Sequence, residues 1–232
     1  MKMTDKKYFS VLGDSLSTLE GYSEPQYAAF YDTEKKLESH IYTPSDTWWG
    51  MTIEEMSGEL LVNNSISGST VTKRDGYEIE SYGCSIERTS SLSKGGISPD
   101  VIMVLLGTND WGMGVDIAEG EYAERSFGSA YSLMLKRLRE NYPNAELWCF
   151  SLPVSRCSRM SDFSFPYVYK GVHIAEYCHA IRKVAKEHGA RLIELYEPKT
   201  QYDTIDGFHP TREGMSTIFQ SVKKQLRWGS IV

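Results

Sequence analysis

Apolar residues along this chain follow two rhythms. Five short runs rich in β-formers read as strands: 8–13 (YFSVLG), 59–64 (ELLVNN), 101–107 (VIMVLLG), 145–152 (AELWCFSL) and 191–196 (RLIELY). The third is almost wholly apolar, as expected of a strand covered on both faces. Between the runs the spacing becomes helical. Phe127, Ala130, Tyr131, Met134, Leu135 and Leu138 form one stripe, and Ile174, Cys178, Ile181 and Ala185 a second. Met215, Ile218, Phe219, Val222 and Leu226 form a third, with Thr211 placed as its N-cap. Such stripes are read as core faces rather than cofactor contacts.

Strand, helix and strand in repetition imply right-handed crossovers and a parallel sheet with helices on both sides. There is no internal repeat, no low-complexity tract and no linker, so residues 1–232 are expected to form a single domain. Two stretches escape the pattern. Residues 20–47 are polar and aromatic, and residues 70–96 carry KRDGYEIESYG and SKGGISPD. Both follow strand ends, which makes them candidate walls of a binding site.

Composition narrows the classes. An apolar share of 41% in 232 residues supports a substantial core. A net charge of −6 argues against a nucleic-acid partner. No run is long enough for a membrane helix, and the start MKMTDKKYF lacks the apolar segment of a signal peptide, so a cytoplasmic protein is expected. Cys84, Cys149, Cys157 and Cys178 have no zinc-ligand spacing, and Cys149 reads as core. No metal or cofactor is expected.

Ligands of open parallel sheets bind beyond the carboxyl ends of the strands. After the first strand comes GDSLS from Gly13, and after the second NNSISGST from Asn63. After the third comes GTND from Gly107, and beyond the fifth DGFHP from Asp206. These four blocks, in this order, resemble those of the SGNH hydrolases, the GDSL esterase/lipase family. The resemblance spans Gly13 to His209. It implies a flavodoxin-like three-layer α/β/α sandwich with a five-stranded parallel sheet.

The chemistry follows. A serine hydroxyl is a weak nucleophile until a base takes its proton. Ser15 is the candidate nucleophile and His209 the base. Asp206, three residues before His209, can reach the imidazole Nδ1 and fix its tautomer. By resemblance these are the triad positions, and the backbone N–H of Ser15, that of Gly68 and the Asn109 amide form the oxyanion hole. Asp14 is expected to organise the loop rather than to react. Ser65 stands where the second block often has glycine. A convergence of Asp14, Asp110, Asp206 and His209 on a metal is a weaker reading.

Each block alone has a plainer reading, as a loop serine, a turn or a helix cap. Trp48 and Trp49 suit either a core anchor or an aromatic wall beside the site, and Trp111, directly after GTND, is expected to line the pocket. Tyr22, Tyr27, Tyr31, Tyr42 and Tyr82 in the irregular stretches suit sugar stacking or acyl packing equally. His173, His179 and His188 read as structural or solvated, and His40 as within reach of a substrate. The expected function is a serine esterase for short acyl esters, acetyl on a carbohydrate foremost, acting through an acyl-enzyme. A lysophospholipase or thioesterase is the alternative on the same scaffold. A non-catalytic glycan-binding module is the alternative from another class. Acyl length, leaving group and oligomeric state stay open.

Overall fold

The computed structural model describes residues 6–23, 29–75, 82–118 and 123–228; Tyr27 and part of the 70–96 stretch lie outside them. Strands β1 (Tyr8–Gly13), β2 (Glu59–Ser65), β3 (Val101–Leu105), β4 (Glu146–Phe150) and, later in the chain, β8 (Arg191–Ile193) form one sheet in the order β2-β1-β3-β4-β8. Every neighbouring pair is parallel. Gly13 is level with Ser65 on one side and Leu105 on the other, so three strand ends open onto one place. Strand order reverses between β1 and β3, where a ligand crevice is expected.

Among the described residues seven α-helices surround the sheet: α1 (Thr33–Ser39), α2 (Trp48–Glu55), α3 (Ile86–Ser90), α4 (Thr108–Met113), α5 (Phe127–Asn141), α6 (Ile174–Glu187) and α7 (Arg212–Trp228). Strand side chains alternate between faces. Leu12, Ile102, Val104, Leu147 and Cys149 meet the stripes of α5 and α6. Phe9, Val11, Met103, Trp148 and Phe150 meet α2 and α7 through Ile53, Met215, Ile218 and Val222. Each such buried side chain contributes roughly 1.5–3 kcal/mol. The layers are those of a flavodoxin-like α/β/α sandwich. Thr211 Oγ1 accepts from Gly214 N at 3.1 Å, the cap expected for α7.

Two expectations are corrected. The fifth strand stops at Ile193 rather than residue 196, because Leu195 N and Tyr196 N turn to Ser151 Oγ, at 2.7 and 2.8 Å, instead of a strand neighbour. Trp48 and Trp49 are no wall of a site. Both are fully buried at the start of α2, with Trp48 against Phe150 and Trp49 Nε1 donating to Ser17 O at 2.9 Å.

Some described residues of the irregular stretches join the core. Residues 20–47 contain α1 and bury Tyr31 and Ile41, while Tyr22 and Tyr42 stay exposed. His40 ends α1 in the left-handed conformation and is exposed. His173 accepts from Ala175 N at 3.0 Å as the cap of α6, and His188 Nε2 lies 2.8 Å from Ser132 Oγ. All four cysteines are buried and free. Beside the sheet, β5 (Ser155–Arg156) pairs with β9 (Tyr202–Asp203), fixing the entry to the DGFHP loop, and β6 (Val168–Tyr169) pairs with β7 (Val172–His173) in a hairpin. Among the described residues no helix is long and apolar enough to cross a membrane.

Candidate active site

The end of β1 turns sharply. A Cβ on Gly13 would sit 2.7 Å from Ser17 Cβ and 2.8 Å from Ser65 Oγ, so only glycine lets the chain enter the 3-10 turn Ser15–Ser17. Asp14 caps that turn, its Oδ1 accepting from Leu16 N at 3.0 Å. The turn holds Ser15 just below the surface, 7% exposed.

The DGFHP loop arrives from the other end of the chain. Asp206 Oδ1 accepts from Phe208 N at 3.0 Å and His209 N at 2.8 Å, which folds the loop around the carboxylate. The second oxygen, Oδ2, lies 2.6 Å from His209 Nδ1, and His209 Nε2 lies 3.0 Å from Ser15 Oγ. Burial disfavours the charged Asp206, yet the His209 hydrogen bond and charge outweigh it and hold the carboxyl at about 2. The loop carbonyls are also taken. Tyr202 OH donates to Phe208 O at 2.8 Å, Ile205 N to His209 O at 3.0 Å and Tyr31 OH to Pro210 O at 2.9 Å. Phe30 stacks on the imidazole, with centroids 3.5 Å apart and planes within 9°. The imidazole is thus fixed in position, plane and tautomer.

Opposite stands α4. Asn109 Nδ2 donates to Ser69 O at 2.8 Å, which uses one of its two N–H groups and leaves the other for a ligand. Asp110 is spent on structure: its carboxylate accepts from Val71 N at 2.8 Å, Thr72 N at 3.1 Å and Thr72 Oγ1 at 2.8 Å. These bonds tie α4 to the loop after β2. In that loop Gly68 adopts φ +75°, where a side chain would be strained. Among the described residues neither Ser15 N nor Gly68 N donates to a protein acceptor. The geometry brings Ser15, His209, Asp206 and Asn109 together, with Gly68 exposed beside them.

A cavity of about 270 Å³ lies between Ser15, Asn109 and His209 on one side and Leu16, Met113, Tyr169 and Phe208 on the other. A wider groove of about 960 Å³ between β8 and α7 contains none of these residues. Trp111 does not line the cavity, contrary to expectation. On α4, Thr108, Asn109, Gly112 and Met113 share the cavity face, which turns Asp110 and Trp111 inward. Trp111 is fully buried and supports the wall from behind, its ring centroid 5.3 Å from Tyr169 and 6.4 Å from Phe208.

Sequence reasoning passed over Phe30, Tyr202 and Arg88. Phe30 and Tyr202 hold the His209 loop, and Arg88 is buried behind the strand ends. No motif surrounds any of them, and Phe30 and Arg88 act across long stretches of chain.

One electrostatic feature gives a test. Among the described residues Asp14 Oδ2 is buried without a hydrogen-bond partner. Burial outweighs the Leu16 bond and the Arg88 charge, pushing the Asp14 carboxyl from 3.8 to about 7. The folded state therefore prefers protonated Asp14. That contribution is complete below about pH 4 and is lost as pH rises towards 7. Asp14→Asn cannot ionise. Between about pH 5 and pH 8 its melting temperature should fall less than that of the parent protein. Parallel thermal curves for the two proteins would contradict the shift.

Comparison with known proteins shows the family and the fold. The model of the GDSL-like lipase/acylhydrolase family matches residues 7–153. The crystal structure of a candidate GDSL-like lipase from Bacteroides ovatus is similar with a TM-score of 0.73 and 27% identity, covering 96% of this chain and 99% of that one. A candidate GDSL-like lipase from Bacteroides uniformis is similar with a TM-score of 0.70 and 29% identity, covering 96% of each chain. A carbohydrate esterase family 2 enzyme with a carbohydrate-binding domain, from Corynascus thermopiles (Myceliophthora fergusii), shares the fold with a TM-score of 0.62 and 14% identity, over 96% of this chain and 66% of that one. No curated protein matches.

Proposed function

This chain belongs to the GDSL-like lipase/acylhydrolase family and is an ester-bond hydrolase, and on that premise we propose that it is a serine esterase that removes short acyl groups, acetyl on a carbohydrate foremost. The observation that carries the reading is the 3.0 Å contact between Ser15 Oγ and His209 Nε2 at the wall of the Asn109 cavity.

His209 Nε2 takes the Ser15 proton as Oγ attacks the ester carbonyl. Asp206 holds the Nδ1–H and stabilises the imidazolium that forms. Negative charge grows on the carbonyl oxygen, and the Ser15 amide, the Gly68 amide and the second N–H of Asn109 receive it. Collapse of the tetrahedral intermediate breaks the C–O bond to the alcohol, which leaves with the proton from His209. Water, deprotonated by the same imidazole, then releases the acid and restores Ser15.

The size of the cavity supports short acyl groups. Its volume of about 270 Å³ lies below the range of roughly 300–1,000 Å³ typical of drug-sized ligands. The exposed ring of Tyr169 and the half-buried ring of Phe208 supply apolar wall. The fold shared with a carbohydrate esterase is consistent with a sugar alcohol as the leaving group.

A panel of acetylated xylo-oligosaccharides, lysophospholipids and acyl-CoA tests the substrate class. Preference for the first is expected. Preference for a long-chain lysophospholipid or a thioester would replace the substrate part of the reading. A fluorophosphonate probe should label Ser15, and a folded protein that takes no label would remove the enzymatic mechanism. Asn109→Ala should lower kcat by about 10²–10³-fold with a smaller change in KM. An unchanged kcat would take Asn109 out of the oxyanion hole.

A further inference from the structure

Arg88 has no place in the reaction described above, yet it is 2% exposed and lies behind the ends of β1 and β2. A buried guanidinium keeps its charge at neutral pH and needs acceptors for its donors. Here they come from three segments that meet at the site. Nη2 donates to Gly13 O at 2.8 Å and to Asn64 O at 2.7 Å. Nε donates to Asn64 Oδ1 at 2.9 Å, and Nη1 bonds Ser69 Oγ. The short helix α3 presents it, with Ser85 Oγ capping Arg88 N at 3.1 Å.

The positions of the acceptors are informative. Gly13 lies two residues before Ser15, and Ser69 directly follows Gly68. Ser69 also gives its carbonyl to Asn109. One planar cation therefore grips the segments that carry two of the three proposed oxyanion donors, and Ser69 links the third, Asn109, to the same grip. We infer that Arg88 is a positioning residue that sets the distance between the Ser15 and Gly68 amides and so shapes the oxyanion hole. It acts through those segments and does not touch the substrate. The fork geometry of guanidinium matters, because lysine presents a single ammonium that cannot span the same four acceptors.

The inference rests on the proposed esterase mechanism, and the experiment separates the two. Parent protein, Arg88→Met, Arg88→Lys and Ser69→Ala are compared on p-nitrophenyl acetate. Each is also titrated with a phenylboronic acid, whose tetrahedral adduct on Ser15 reaches the oxyanion hole. Arg88→Met should lose about 100-fold in kcat, the effect of displacing a reacting geometry by about an ångström, with KM nearly unchanged. Boronic-acid affinity should fall in parallel, and Arg88→Lys should restore only part of both. A folded Arg88→Met with the parent kcat, or one whose loss lies in KM, overturns the inference. If Arg88→Met fails to fold, Ser69→Ala decides: lower kcat with weaker boronate binding sustains the inference, and parent values for both overturn it. Lack of turnover and of fluorophosphonate labelling in the parent protein would instead defeat the esterase mechanism itself.

Discussion

Ser15→Ala is expected to abolish hydrolysis in practical terms, lowering kcat for p-nitrophenyl acetate by about 10⁵–10⁶-fold. Loss of the nucleophile in a serine hydrolase costs about that much, because the triad acts as a unit. The substitution is structurally mild. Ser15 Oγ meets only His209 Nε2 among the described residues, and the Asp14 cap and the Ser15 amide stay in place. Folding and KM should therefore survive, and what activity remains should come from binding and the oxyanion donors. Initial rates and fluorophosphonate labelling on the same preparation measure the effect. A folded Ser15→Ala protein that keeps even a tenth of the parent rate would place the nucleophile elsewhere.

Asp206→Asn should cost about 10⁴-fold in kcat. The amide oxygen can still accept from Phe208 N and His209 N, so the loop keeps its shape. The amide nitrogen then faces His209 Nδ1, donor against donor. That drives the imidazole to the tautomer with its proton on Nε2, which cannot take the proton of Ser15. pH dependence offers a second reading. The folded carboxyl sits at about 2, below its ordinary 3.8, so its stabilisation is present above about pH 4 and fades as pH falls towards 2. Loss of parent activity well above pH 4 therefore does not come from Asp206. Thermal unfolding should show the variant less stable than the parent at pH 7, with the gap closing towards pH 2. A gap that stays constant over that span would mean that the carboxylate charge does not stabilise the loop.

The sheet was legible because its inner strands β1, β3 and β4 are almost wholly buried and its long helices carry unbroken stripes, so period separates them. The candidate site was legible because four polar blocks follow apolar strands in an order that resembles a known family. The supports of the site were not. Tyr31 reaches Pro210 across 179 residues and Arg88 reaches Gly13 across 75, and no local pattern records either contact. Tryptophan misled for a related reason. Trp48, Trp49 and Trp111 all stand next to site-like loops, yet helical phase turns each into the core, and phase is set by the start of short helices that caps define only loosely. The fifth strand was read too long because Ser151 takes the amides that would have extended it.

Ser15 and His209 lie 194 residues apart, and the ring of His209 is held by groups drawn from both ends of the sequence. A ribosome delivers the chain from its N-terminus. The Ser15 hydroxyl therefore emerges 194 residues before the imidazole proposed as its base. The proposed relay can close only after the DGFHP segment has left the exit tunnel. On the proposed mechanism, a nascent chain that has not yet released the DGFHP segment is silent towards esters.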